Sequence, residues 1–299
     1  MTVVLGGRRE TVRAFTTLGI RFWDAALERP VSGALDVLAF RRDTRDPPVS
    51  AHVTPSGVYA FHDLPGLRDV EHPRGDGPVL GSPPASAEFV IAVRDSLGRY
   101  LPMAFGVALP LPYRGLFPAG DSVPLFSAPT RPIPPGLGAV RAELWDTNAA
   151  LPGSHAVLRV KVGPNVWTGT ADDAGRVLVV LPTPTVERLT LGSPPGSGQG
   201  SPDAATWPIV VSVRSTPGAL RFPLATGRPG AAAFARVPSL KTVLEDQTEG
   251  QLFAADNVAP TSSLDATLPF GRALVLRTRR TPITEDSGRL WITAGASPP

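Results

Sequence analysis

A chain of 299 residues can bury roughly three quarters of its unfolded surface as one compact body, or divide into two or three smaller domains. Its 42% hydrophobic content excludes a disordered chain, and 35 prolines leave little room for long helices. The net charge of +3 comes from scattered arginines, with only Lys161 and Lys241 as lysines. That is not the basic stripe of a nucleic-acid binder, and the lack of cysteine excludes disulfides and thiolate chemistry.

Along the chain, the N-terminal segment (1–14) places a short apolar run before the pair Arg8-Arg9, the reverse of a signal peptide. No run of 18 apolar residues follows that would span a membrane as a helix. A cytoplasmic location is expected, with release in an assembled particle left open. From residue 15 the pattern turns to β. Leu18, Ile20 and Phe22 alternate with Gly19, Arg21 and Trp23 and open a first β-sandwich assigned to 15–108.

That opening is written twice. FWDAALERP (Phe22–Pro30) returns as LWDTNAALP (Leu144–Pro152), so Trp23 matches Trp145, Asp24 matches Asp146 and Pro30 matches Pro152. PSGVYAFHDLP (Pro55–Pro65) is matched by DAGRVLVVLP (Asp173–Pro182), with Gly57 on Gly175. FVIAVRDSLGRYLP (Phe89–Pro102) is matched by IVVSVRSTPGALRFP (Ile209–Pro223), with Val93-Arg94 on Val213-Arg214 and Gly98 on Gly218. Three blocks in one order, about 120 residues apart, indicate a duplicated domain. The expected fold is all-β: two tandem immunoglobulin-like or transthyretin-like β-sandwiches at 15–108 and 139–223. Glycine-containing turns at Ser96–Arg99 and Thr216–Ala219 read as hairpin loops.

In both copies the Trp falls on the polar phase of its strand. It either lids the open end of its sandwich or offers a partner contact, while the Asp caps the following turn through its side chain. Between the copies, a connector at 109–138 carries eight prolines, too many for a helix and enough to make it stiff. Its apolar residues suit packing on its own sandwiches or on a neighbouring subunit. Gly192–Asp203 is a loop by composition. The C-terminal arm, 224–299, holds a short helix with Ser239 as N-cap and two strands, at Gly271–Thr278 and Gly288–Gly295. It either completes the second sandwich or pairs with another chain.

Catalytic signals are missing from the sequence. His52, His62 and His72 stand ten apart, which is no ligand spacing on one helix or strand, and His155 is alone. There is no H-E-x-x-H, no G-x-S-x-G and no phosphate-binding glycine loop. No catalytic residue, metal ligand or cofactor is expected, and the chain reads as not an enzyme. RGD at Arg74–Asp76 is a chance tripeptide. The candidate partner contacts are Tyr113, Phe117, Phe126 and Trp291, followed by Trp23 and Trp145.

The strand–turn–strand blocks ending in Leu-Pro resemble carboxypeptidase-regulatory-like and transthyretin-like modules, which are non-catalytic binding or spacer domains. IRFWDAA, FVIAVRDSLGRYLPMAFGVALP, PYRGLF, PLFSAPTRPIPPGL, VRAELWD and TADDAGRVLVVLP together resemble accessory β-sandwich structural proteins of phage-tail-like contractile injection systems. The likeness covers roughly residues 15–225 and leaves the arm unmatched. It implies a structural adaptor at the tail-cap end, with the baseplate as the second choice. Its partners would be cap, sheath, tube or baseplate subunits, or copies of itself in three-fold or six-fold symmetry, with no nucleic acid and no membrane insertion. The alternative reading is a stand-alone glycan- or surface-binding β-sandwich protein.

Overall fold

The computed structural model describes residues 2–5, 8–11, 16–72, 86–111, 116–117, 122–183, 206–281 and 287–295, with the backbone alone for 2–5, 8–11 and 116–117. The chain is all-β and built as tandem immunoglobulin-like sandwiches. In the first, one sheet runs Met103–Leu109, Ala87–Asp95, Leu35–Arg41, Val49–Ser50, all antiparallel. The facing layer runs Leu116–Phe117, Leu18–Ile20, Tyr59–Phe61, His52–Val53 and continues with Phe22–Asp24 between Val123–Leu125 and Arg29–Val31. Alternation decides what goes inside: Leu18, Ile20 and Phe22 meet Phe89, Ile91, Val93 and Phe105 in one core.

The second sandwich repeats the plan. One sheet runs Asn165–Thr170, Val157–Val162, Thr206–Arg214, Ser263–Pro269. The other is organised on the long strand Leu137–Asp146, paired antiparallel with Arg176–Pro182 and Leu151–Pro152. Parallel to it lie Ala273–Leu276 and Leu290–Thr293. Leu144, Leu158, Val160, Val211 and Ile292 close this core.

Register confirms the duplication residue by residue. Leu18 faces Phe61 where Val140 faces Val179, and Val93 faces Val37 where Val213 faces Leu158. Gly57 and Gly175 both sit in turns at positive φ, +75° and +78°. A Cβ on Gly175 would lie 2.5 Å from the Leu144 carbonyl oxygen, so only glycine fits there.

The repeat also runs further than its matching letters. Leu116 lies beside Gly19 and Val123 beside Phe22, both parallel; at the corresponding positions Val275 lies beside Arg141 and Leu290 beside Leu144. The segment expected as a connector (109–138) and the arm expected at 224–299 therefore supply equivalent closing strands, each to the sandwich that precedes it.

One expected hairpin is absent. Ser96–Arg99 does turn between two paired strands, with Gly98 at φ +65°. Thr216–Ala219 does not: Pro217–Ala219 is a 3-10 turn, and Thr206–Arg214 pairs with the distant strand Ser263–Pro269. Residues 215–262 form an insert between these two strands; it contains the expected helix, Leu240–Leu244, after Ser239, and returns to the second sandwich at Gln251–Leu252, which pairs antiparallel with Leu290–Thr293. The Ser239 hydroxyl makes no capping bond to it.

The insert folds back over the first sandwich. Leu224, Ala231, Phe234 and Val237 pack on Phe40, Val90, Ala92 and Ala104, the outer face of the first sheet. Phe40 is further held edge-on by Phe234 and capped by the Arg228 guanidinium 5.2 Å from its centroid. Burying such side chains contributes about 1.5–3 kcal/mol each, so the insert is a substantial brace. A direct seam joins the sandwiches as well, where Ala26 packs on Ala139, Leu178 and Val180. No helix among the described residues is long and apolar enough to cross a membrane.

Candidate functional site

The two Trp-Asp hairpins are the same object locally. Trp23 faces Pro30 and Asp24 faces Arg29; Trp145 faces Pro152 and Asp146 faces Leu151. Each aspartate turns its Oδ1 to two amides ahead of it, Ala26 and Leu27 in one copy, Asn148 and Ala149 in the other. That is the turn-capping role expected of both.

Beyond the turn the copies diverge. Asp24, 1% exposed, accepts hydrogen bonds from the Tyr100 hydroxyl (2.6 Å) and from Arg131, whose Nη2 lies 2.6 Å away. Arg131 also reaches Ser127 and lies over the Tyr100 ring, 4.9 Å from its centroid. Burial pushes the Asp24 carboxyl up, but bonds from Arg131 and Tyr100, with the Arg131 charge, outweigh it and hold it below its ordinary value. Burial and the Asp24 charge together raise the Tyr100 hydroxyl. This buried network pins the proline-rich segment to the first sandwich. Nothing in the sequence spacing flagged Arg131, since its partners lie far away in the chain.

The six expected contact residues scatter. Tyr113 and the Phe117 side chain lie outside the described residues, although the Phe117 backbone pairs with Ile20. Phe126, expected at a partner surface, is instead only 8% exposed and belongs to the first core. The reason is that Val123–Leu125 closes the sandwich and carries it inward. Trp23 and Trp145 are half-buried at corresponding positions. Trp145 lies beside Trp291 in register and is capped by Arg289, whose guanidinium carbon is 3.9 Å from the ring centroid. Trp291 meets Phe253 edge-on.

Between the sandwiches is a cavity of about 340 Å³. Leu101, Met103 and Phe126 of the first sandwich and Val237, Leu240 and Val243 of the insert form its apolar wall. His155, Asp172, Asp173 and Arg176 form the opposite, polar wall. His155 Nε2 is 3.4 Å from Asp173 Oδ1, and its ring meets Phe222 edge-on. Burial lowers the His155 pKa against the opposing pull of Asp173 and Asp172, which favours the neutral imidazole. A second groove, lined by Leu151, Phe222 and Arg236, adjoins the same His155 and Asp173. Such a site offers an apolar slot with one neutral imidazole and carboxylate acceptors at its polar side.

The three histidines whose spacing fits no single helix or strand do gather. His52 and His62 stack, 4.7 Å between centroids. His62 Nδ1 is 2.7 Å from Glu71 Oε1, and Glu71 Oε2 accepts the Asp63 amide at 2.8 Å. The ligand atoms of Asp63, Glu71 and His72 all lie within 4.8 Å of one another. The expectation of no metal ligand was drawn along single strands and helices, whereas this group forms where the short helix Arg68–Glu71 folds back on the strand end at Phe61.

No family model matches the chain, and no curated protein matches it. Among solved structures it is similar to the shaft pilin spaA from Lactobacillus rhamnosus GG, at 7% identity over 97% of this chain and 100% of that one, with a TM-score of 0.24. It is also similar to GBS52, the minor pilin of Streptococcus agalactiae, at 8% identity over 94% and 99%, with a TM-score of 0.24. A C-terminal fragment of the pilus adhesin SpaC from L. rhamnosus GG gives 11% identity over 93% and 96%, at a TM-score of 0.20.

Proposed function

We propose that this chain is a non-enzymatic structural adaptor that works inside a larger protein assembly. The observation that carries the reading is the unequal cover of two equivalent faces. The insert seals the outer face of the first sandwich. On the second sandwich, Val166 and Val210 stand 45% and 37% exposed on the corresponding sheet. Arg159 and Lys161 share that face by alternation with the buried Leu158 and Val160. A braced two-sandwich body with one open β face suits a spacer that docks other subunits.

The narrower reading follows the sequence resemblance: a contractile injection system particle, at the tail-cap end in preference to the baseplate. The chain would be made in the cytoplasm and released with the particle. Its partners would be cap, sheath, tube or baseplate subunits, or copies in three-fold or six-fold symmetry. Tyr113, Phe117, Trp291, Trp23 and Trp145 remain the aromatic contact candidates. In this reading the two sandwiches, 15–108 and 139–223, are each completed by the segment that follows, 109–138 for the first and 224–299 for the second.

Light scattering on the purified chain, alone and co-expressed with its genomic neighbours, tests the proposal. A ring-sized mass or entry into a larger complex is expected, lost in the double variant Val166→Asp, Val210→Asp with the fold intact. A monomer indifferent to its neighbours would overturn it and favour the glycan- or surface-binding reading.

A further inference from the structure

We propose that Asp63, Glu71 and His72 form a binding site for one zinc-class divalent cation on the first sandwich. The starting point is Glu71, a carboxylate only 2% exposed. Buried carboxylates are matched by a cation or a metal. Its partners among the described residues are the His62 ring and the Asp63 amide, and neither carries a permanent charge.

The donor set selects the ion. Two carboxylates and one imidazole suit zinc and its first-row neighbours, with a fourth position left for water. Calcium needs six to eight oxygens, which these three side chains do not supply. At bond lengths of about 2.0–2.1 Å, a tetrahedral ion holds its ligand atoms roughly 3.3 Å apart. The present separations, within 4.8 Å, need a closure of up to about 1.5 Å. Asp63 and His72 are exposed and can supply it by side-chain rotation, while Glu71 stays anchored.

His62 completes the arrangement from behind. Its Nδ1 hydrogen-bonds Glu71 Oε1 while the Asp63 amide holds Oε2, and each oxygen keeps a further lone pair for the ion, the way ligating carboxylates are held elsewhere. His52, stacked on His62, fixes that ring in turn. The second sandwich has Val180 and Leu181 at the positions of His62 and Asp63, so the site belongs to the first copy alone.

The test is titration calorimetry of the full chain, freed of metal with chelator, against zinc chloride and, separately, calcium chloride. One zinc per chain with a raised melting temperature is expected, and no calcium uptake. His72→Ala and Asp63→Asn should each weaken zinc binding at least about tenfold, the scale on which even outer partners matter. Neither should lower the melting temperature of the metal-free chain. Both side chains are exposed, and asparagine tolerates the φ of +56° at position 63. No zinc uptake by the unaltered chain, or undiminished uptake in both variants, would overturn the site.

Discussion

The two sandwiches share one plan, and their differences show which surfaces the plan leaves to choice. Strand pairing sets Leu38 beside Ala92 and Ala104, and Phe40 beside Val90 and Gly106, on the outer face of the first sheet. At the same lattice points the second sheet carries Arg159, Ser212 and Ser263, then Lys161, Val210 and Asp265. Inward-facing positions stay apolar in both copies; of the outward ones named here, only Val90 keeps its residue type, as Val210. The first face is apolar because Leu224, Ala231, Phe234 and Val237 of the insert lie on it, and the second is polar because most of it lies open. The insert touches one side of the second face too, where Val157 packs on Leu220 and Val243 and Glu249 pairs with Arg159 at 3.4 Å.

The sharpest way to break this comparison is one substitution made at both equivalent points. Val90 is 2% exposed and its counterpart Val210 is 37% exposed. Val90→Asp forces an unpaired carboxylate under the insert and should cost more than about 4 kcal/mol, or prevent folding. Val210→Asp should stay within about 0.5 kcal/mol. Urea denaturation of both variants decides it. Equal losses would mean that the insert does not protect the first face in solution.

The twin aspartates give the next largest contrast. Asp24→Ala strands the buried Arg131 guanidinium and should cost about 3–5 kcal/mol. Asp146→Ala removes only turn hydrogen bonds and should cost about 1 kcal/mol. The acid limb separates them too. The Asp24 pKa is lowered on folding, so its contribution is present in full above its ordinary value of 3.8 and fades as pH falls through the folded value. Melting curves between pH 5 and 2 should show the Asp24→Ala variant losing less stability on acidification than the unaltered chain.

His155 adds a smaller, pH-dependent term at the seam. Its folded pKa is lowered by burial, so the unfolded chain takes up the proton first. Stability should hold above the ordinary value of 6.5 and fall as pH drops below it, levelling off under the folded value. The slope is bounded by about 1.4 kcal/mol per pH unit for one proton. His155→Asn, which tolerates the φ of +59° there, should remove this slope between pH 7 and 5 in denaturant melts.

Much of this was legible in the letters. The paired blocks located the Trp-Asp hairpins, the Gly57 and Gly175 turns and the central strands, because those features depend on local alternation and turn chemistry. The closing strands were not legible as repeats. Leu116 and Val123 share no motif with Val275 and Leu290, since parallel edge pairing demands backbone position more than side-chain identity. The Thr216–Ala219 turn misled for a related reason: its glycine matched Gly98 in spacing while the chain there leaves the sheet. The Asp24–Tyr100–Arg131 network stayed hidden because it joins segments that only tertiary folding brings together, and the Glu71 cluster because a short turn of helix, not a regular strand or helix spacing, sets its residues side by side.

The smallest expected effect sharpens the question of what the two tryptophans do. Trp145 is capped by Arg289, which also pairs with Glu143 at 2.7 Å, a half-exposed ion pair worth little alone. Trp23 has Pro124 on the neighbouring strand where Trp145 has Trp291. If both tryptophans merely lid their sandwiches, Arg289→Ala should cost only the lost cation–π contact, about 0.5–1 kcal/mol. In a double-mutant cycle with Trp145→Leu, that same amount should appear as coupling energy, while Trp23→Leu should couple to Arg289→Ala by nothing measurable. Coupling that appears only when a partner subunit is present would move Trp145 from lid to interface, and the second hairpin would then have acquired a contact that its twin lacks.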